Sequence, residues 1–359
     1  MAVDIQYGFL QLRDIFRDRL ADNIEEVNDA IERTIDEHNR QIDALLDLFC
    51  ERTTEFKARF RLMAQHRLQP LDQNGRARPI KGGGFYDVAF PLQMAGSAWG
   101  ENYLTSQKRT VEDANNITAS MLLADIRWVR DHLLAALFMN ADWTFEDDEH
   151  GALVVRPLAN GDGDEYQLVT GNDLGVVNHS HFYATATAIS DAANPMPTVA
   201  DHLREHPENQ GGELLLLAGK NVAAAVGNLA TFAVQTDPNI RQGANADELV
   251  GTFGGQTPGV MTGYERASQM FVSRWDHFPA DYFVAIATGA AIRPLAMREE
   301  EIDELRGFKK VAERNDHPFM ESQYQRIAGF GAWNRVGAVV GRTGNAAYAV
   351  PANYSTPMP

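Results

Sequence analysis

Two histidines one residue apart, His179 and His181, are the side chains of this sequence best spaced to hold a metal ion. Alternate residues of a strand share a face, so both imidazoles could meet one ion. No third ligand follows from the spacing, and a structural or surface pair is the simpler reading. Asp162-Gly163-Asp164-Glu165 has the acidity of a calcium loop but not its twelve-residue ligand pattern, which favours a hairpin turn. Gly219-Lys220 lacks the upstream glycine and the following Ser or Thr of a phosphate loop. Gly329-Phe330-Gly331 lacks the third glycine of a dinucleotide fingerprint and falls inside a predicted strand. Ser97, within Ala95-Gly96-Ser97-Ala98-Trp99, lacks the frame of a nucleophile elbow. The single cysteine, Cys50, excludes a disulfide framework and a Cys-rich metal site, and it reads as packing. The acidic runs at 146–149 and 299–301 read as solvated turns. Nucleophile, base and oxyanion site do not assemble anywhere, so neither catalysis nor a cofactor is expected. A metal-dependent enzyme using His179 and His181 stays as the remote alternative.

The elements that would carry such residues are clearer than any chemistry. With 359 residues, 44% hydrophobic and 23% charged, the chain has globular composition and length for two or three domains. No apolar run reaches 18 residues, so no transmembrane helix is expected. Charges at Asp4, Arg13, Asp14 and Arg17 interrupt the N-terminal apolar residues, so export is not expected. Residues 8–20 carry a helical stripe of Phe9, Leu10, Leu12, Ile15, Phe16 and Leu20. Asp22 and Glu25 form a capping box for a second helix. Ile35, Ile42, Phe49, Phe56 and Met63 recur every seven residues and predict that this helix runs to about residue 63.

Residues 66–109 are punctuated by Pro70, Asn74-Gly75, Pro79, Gly82-Gly83-Gly84, Pro91, Gly96 and Gly100. Strand-like pieces at 85–90 and 99–104 predict a two-stranded excursion that projects and needs a partner surface. Thr110 and Asp113 cap a helix that runs without Pro or Gly to about residue 138, some 42 Å long. One apolar face is Leu122, Ile126, Val129, Leu133 and Leu137 and another is Ile117, Met121 and Trp128, and Ile126 is expected in the core. Short strands follow at 143–145, 153–156 and 166–169, and 181–188 fits strand or helix. Thr198 and Asp201 suggest a short capped helix, 214–217 a buried strand, and 222–234 an alanine-rich helix. Further strands are expected at 270–274, 282–288, 292–298, 308–313, 321–333 and 336–341.

Net charge is −17, which argues against general nucleic-acid binding. Residues 66–110 hold 6 basic and 3 acidic residues, whereas 139–260 hold 4 and 17. A varied solvated surface explains this, and so does complementarity between copies of the chain.

Several strings resemble the major capsid protein family of tailed bacteriophages, with the Hong Kong ninety-seven-type fold. They are Phe138-Met139-Asn140-Ala141-Asp142 after the long helix, and Glu213-Leu214-Leu215-Leu216-Leu217-Ala218-Gly219-Lys220-Asn221 leading into a helix. Residues 263–275 with 278–285, and Ile292-Arg293-Pro294-Leu295-Ala296-Met297-Arg298-Glu299, are similar to strands of its axial domain and their return. The closing strands at 321–341 complete an order of elements that covers residues 66–359.

The resemblance implies an α+β chain in five parts. These are an N-terminal helical arm (1–65), an extended loop (66–109), a peripheral domain with the spine helix (110–190), an axial domain (191–318) and C-terminal strands returning to the peripheral domain (319–359). It implies a homo-oligomeric icosahedral shell of hexamers and pentamers around double-stranded DNA, without sequence-specific binding. Scaffolding, portal and decoration proteins would be partners, and the virion capsid, assembled in the host cytoplasm, the location. Inter-subunit contacts are expected from Arg76, Arg78, Lys81, Phe85, Tyr86, Trp99 and Tyr103. Encapsulins, relatives that usually lack so long an N-terminal segment, are the alternative. Some relatives cross-link a loop lysine to a neighbour's asparagine. Lys81 with Asn334, Asn345 or Asn353 would be the candidates, and non-covalent clasping is the expectation, because the flanking glycines leave Lys81 hydrated.

Overall fold

The computed structural model describes residues 24–61, 70–77, 85–102, 108–159, 161, 166–169, 176–177, 180–234, 258–314 and 319–355. The chain opens with helix α1 (Ile24–Leu46), strands β1 (Cys50–Thr53), β2 (Lys57–Arg61), β3 (Phe85–Ala89) and β4 (Gln93–Asn102), then helix α2 (Val111–Phe138). Next come β5 (Trp143–Asp147), β6 (Gly151–Val155), β7 (Tyr166–Gln167), β8 (Val176–Val177), β9 (Phe182–Thr185) and α3 (Met196–Arg204). β10 (Leu214–Ala218), α4 (Lys220–Gly227), β11 (Phe232–Val234), β12 (Val260–Glu265), β13 (Met270–Arg274) and β14 (Tyr282–Ala287) follow. The chain closes with β15 (Leu295–Arg298), β16 (Lys309–Arg314), β17 (Phe319–Ala332) and β18 (Ala338–Thr343). Two compact units interleave along it: Met1–Ala44, Leu92–Arg130 and Glu299–Ala328 form the smaller, and Leu45–Pro91, Asp131–Arg298 and Gly329–Pro359 the larger.

In the larger unit a seven-stranded sheet has the order β11-β12-β13-β10-β14-β18-β9. β10 lies at its centre, parallel to β13 and antiparallel to β14, and every residue of β10 is buried. Burial on both faces is why its sequence is an unbroken apolar run instead of an alternation. Met196, Val199 and Leu203 of α3, with Val222 and Val226 of α4, cover the sheet. Gly341 of β18 stands opposite Phe283 of β14, and a Cβ there would collide with that ring. A second layer joins β1 to β15 in parallel and β15 to the end of β17. β2 and β3 pair antiparallel, from Lys57 opposite Ala89 to Arg61 opposite Phe85.

In the smaller unit the first ten residues of β17 pair with the whole of β4, and β16 takes the other edge. Residues of α1 and α2 pack with this sheet around Ile35, Met121, Phe308 and Tyr324. The Thr110 capping box forms as predicted: Asp113 N–H donates to Thr110 Oγ1 (3.3 Å), and Thr110 N–H donates to Asp113 Oδ2 (3.1 Å).

Five local expectations are corrected. The helix predicted to residue 63 ends at Leu46, and residues 57–61 form a strand. Phe49 and Phe56 keep the seven-residue spacing by coincidence, whereas Lys57-Ala58-Arg59-Phe60 alternates at period two, with Phe60 buried and both cations outside. The pieces at 85–90 and 99–104 do not pair with each other, because β3 takes β2 and β4 takes β17. The helix expected over 222–234 stops at Gly227, and Phe232–Val234 is an edge strand. Helix α3 starts at Met196, where Asn194 Oδ1 accepts the Met196 N–H (3.0 Å), so Thr198 lies inside the helix. The ambiguous 181–188 contains strand β9.

The fifth correction is to the α2 core face. Ile126 is 41% exposed and Val129 only 3%. The inward arc runs through Met121, Asp125 and Val129, a fraction of a turn from the row that the apolar pattern favours. Ile126→Asp should therefore keep soluble yield. Val129→Asp buries an unpaired carboxylate, a cost of several kcal/mol, and should remove it. Soluble fraction and melting temperature of the two variants side by side check this, and equal losses would refute the assigned face.

Candidate assembly surface

The β2–β3 pair flanks residues 62–84. Phe60, Tyr86 and Val88 point inward and join Phe90, Tyr166, Ala296 and Val336 in one buried cluster. The outer face carries Lys57, Arg59, Phe85 and Asp87. Arg59 donates to both carboxylate oxygens of Asp87 (Nε 2.7 Å, a second nitrogen 3.1 Å), and Lys57 Nζ lies 3.2 Å from it. The Arg59 hydrogen bonds hold the Asp87 carboxyl down at about 2. The Arg59 guanidinium lies 4.1 Å over the centre of the Phe85 ring, itself 58% exposed. An aromatic ring with a cation over it, fixed on a strand, suits contact with an acidic or apolar neighbour.

Between the two strands, residues 72–76 form the tight turn that Asn74-Gly75 predicts. Asp72 Oδ1 accepts from the N–H groups of Asn74 and Arg76 (both 2.8 Å), and Gly75 takes φ +73°. Glycine is suited to that left-handed backbone.

The predicted contact residues fall out unevenly. Arg76 is exposed in this turn and Phe85 is exposed on the arm. Arg78, Lys81 and Tyr103 lie outside the described residues. Tyr86 is corrected: it is 3% exposed, and its hydroxyl donates to the Trp333 carbonyl (3.0 Å), so it anchors the arm instead of offering itself to a neighbour. Trp99 belongs to the smaller unit, half-buried beneath the Arg109 guanidinium at 4.9 Å. Arg59 and Asp87 were missed, although the alternation of residues 57–61 was the available signal.

The histidine pair does not form a described site. His179 is outside the described residues, and His181 is fully buried, its ring 5.0 Å from His206 and 5.3 Å from Tyr166. Among the described residues no group of three or more His, Cys, Asp or Glu is placed to hold a metal ion. Of the asparagines considered for cross-linking, Asn334 is 1% exposed and donates to the Ile292 carbonyl (3.2 Å), while Asn345 and Asn353 are exposed.

Two buried ion pairs stiffen the units. In the larger, Arg298 donates to Asp147 Oδ2 (2.7 Å) and to the Phe90 carbonyl (3.2 Å). Burial pushes the Asp147 carboxyl up, but hydrogen bonds from Arg298, His150 and two backbone N–H groups outweigh it, and the net shift is downward. In the smaller, Asp125 of α2 accepts from Arg326 of β17 (2.6 and 2.8 Å) and pairs with His38 of α1 (2.8 Å).

The long helix, the apolar central strand and the β2–β3 pair belong to an α+β fold that matches solved phage capsid chains, the Hong Kong ninety-seven type. Among solved structures, a chain of Mycobacterium phage Patience is similar over 99% of this chain and 98% of its own length, with TM-score 0.70 and 20% identity. A chain from the asymmetric unit of the bacteriophage PhiM1 mature capsid is similar over 82% of this chain and 84% of its own, with TM-score 0.50 and 10% identity. No family model matches the sequence, and no curated protein matches it.

Proposed function

We propose that this chain is a major capsid protein that self-assembles into an icosahedral shell enclosing double-stranded DNA. The observation that carries the reading is the fold shared with the Patience chain along nearly the whole of both. In this reading the chain is structural, forms hexamers and pentamers, and resides in the virion capsid after assembly in the host cytoplasm. Scaffolding, portal and decoration proteins would act on the same shell. The five-part division at residues 65, 109, 190 and 318 belongs to the same proposal.

Physical features of the chain support it. Subunits of a closed shell meet through unlike patches that close into rings. Outward Phe85, Lys57, Arg59 and Arg76 suit the acidic 139–260 segment of a neighbouring copy. Each surface ion pair is worth about 0–1 kcal/mol, so repetition around the shell supplies the strength. Size-exclusion chromatography of the expressed chain tests the reading: material in the void volume, of particle size, is expected. A stable species of 39.8 kDa under all assembly conditions would oppose it.

Cohesion between arms should be non-covalent. Assembled particles boiled in denaturing gel buffer should run as one band at 39.8 kDa. A ladder of multimers lost in Lys81→Ala would show a cross-link through Lys81, with the exposed Asn345 and Asn353 as acceptors to test next.

A further inference from the structure

Two apolar patches of the smaller unit face outward, and the charges around them are opposite in sign. The first is on the loop before β16. Ile302 caps the 3-10 turn of residues 303–305 and Leu305 ends it. Residues three apart in such a turn stand one above the other, and these two are 55% and 37% exposed. Two cations fix the backbone around them. Arg306 donates to the carbonyls of Glu300 (2.6 Å) and Glu301 (3.0 Å) and pairs with the Asp303 carboxylate. Lys309 Nζ donates to the carbonyls of Asp303 (2.9 Å) and Glu304 (2.7 Å). The apolar pair is therefore held in water by a loop that is already ordered, so a contact made through it has little further ordering to offset. Glu301 and Glu304, exposed, stand next to the pair in sequence.

The second patch is on α2. Ala119, Leu123, Ile126, Arg127 and Arg130 share one face by helical spacing. Leu123 is 45% exposed and Ile126 41%, and Ala119 and Arg127 are exposed with them. This face is not the one that meets α1, where Ile117, Met121 and Leu122 pack. From Ala114 to Arg130 the one carboxylate is Asp125, which is buried against His38 and Arg326. The charge that this stretch shows at its surface is therefore positive.

We propose that Ile302 and Leu305 of one copy seat on Leu123 and Ile126 of a second copy, with Glu301 and Glu304 facing Arg127. Adjacent apolar residues held outward mark a contact. Both patches are exposed within one subunit, so neither covers the other there. Charge selects the pairing between copies. A symmetric contact would set carboxylates against carboxylates or arginines against arginines, whereas loop on helix sets unlike charges together. Such a head-to-tail contact is the kind that closes into rings. The inference rests on the reading of the chain as a self-assembling subunit, and it gives that assembly a contact separate from the β2–β3 pair.

The test co-assembles two full-length chains and treats the product with a flexible bismaleimide. One chain carries Ile302→Cys and is isotopically heavy, and the other carries Ile126→Cys and is light. The native Cys50 is 5% exposed and its thiol is pushed up by burial, so it does not compete. The expected result is a link from position 302 of a heavy chain to position 126 of a light one, in severalfold excess over 302–302 and 126–126 links. An excess of like-with-like links would assign a symmetric contact and overturn the proposal. Particles without the 302–126 link, although both thiols react freely in the separate chains, would overturn it and leave the shell reading standing. A parent chain that stays monomeric would overturn both. A second readout does not depend on the linker. Ile302→Ser combined with Leu305→Ser should keep the parental melting temperature and lower the particle yield severalfold, and parental yield would overturn the proposal.

Discussion

Replacing residues 62–84 by Asn-Gly should leave a folded subunit that forms no closed particles. The junction is conservative, because Arg61 already stands opposite Phe85, and Asn-Gly closes a two-residue hairpin. The inner face of the arm, Phe60, Tyr86 and Val88, keeps its cluster, so circular dichroism and melting should match the parent. What disappears is residues 62–84, with Arg76 and its turn. If each arm contributes about 1 kcal/mol to a neighbour, its loss lowers each contact constant about fivefold. That factor compounds at every position of a shell, so closed particles should fall by orders of magnitude in electron micrographs. Shells in parental yield would show that the segment beyond the strands is dispensable for assembly.

The largest loss of subunit stability should come from Arg326→Ala. The side chains of Asp125 and Arg326 are 2% and 3% exposed, and that of His38 is 7% exposed. Removing one partner of a buried pair leaves an uncompensated charge and typically costs about 3–5 kcal/mol. For a unit of little more than a hundred residues the melting temperature should fall by roughly 12–35 °C. Arg326 Nη2 also donates to Asn39 Oδ1 (3.0 Å), which in turn accepts the Phe308 N–H (2.9 Å), so the truncation loosens α1 from β17 and β16 as well. Arg326→Lys keeps the charge but not the fork and should recover part of the loss.

Acidification follows from the same group. Burial raises the Asp125 carboxyl, but hydrogen bonds from His38 and Arg326 outweigh it and the net shift is downward. A carboxylate lowered on folding contributes stability that is complete above its unfolded value, near 3.9, and is lost as pH falls through the folded value. Stability of the smaller unit should therefore hold from neutral pH down to about 4 and drop below it, and Asp125→Asn should flatten that drop. A melting temperature unchanged within about 2–4 °C (about half a kcal/mol) in Arg326→Ala would refute the role given to the pair.

How legible the fold was in the sequence depended on the range of the forces involved. α2 was readable because capping box, length and absence of breakers are local, and Thr110 with Asp113 stands where the spacing put it. β10 was readable because an unbroken apolar run of strand length signals burial on both faces. Strand partners were not readable. Residues 85–90 and 99–104 look like the arms of one hairpin, yet their partners, β2 and β17, were chosen by packing in three dimensions. The helix that ended at Leu46 shows two periods competing, with the seven-residue row of apolar residues masking the alternation of 57–61. Ile126 was misplaced because a helix with apolar residues on two adjacent faces does not declare which of them the sheet covers. Of the candidate surface, the basic and aromatic character was visible, but Tyr86 and Phe85 are adjacent residues whose opposite fates depend on the pleat alone.

On the proposed reading, these subunits close into a shell through the arm. Electron cryo-microscopy of the assembled full chain tests it most directly. An icosahedral particle built of hexamers and pentamers is expected, with the β2–β3 arm and its Arg59–Phe85 face lying over an adjacent subunit and Tyr86 remaining inside its own. A discrete small oligomer, or a shell whose arms fold back on their own subunit without touching a neighbour, would contradict it.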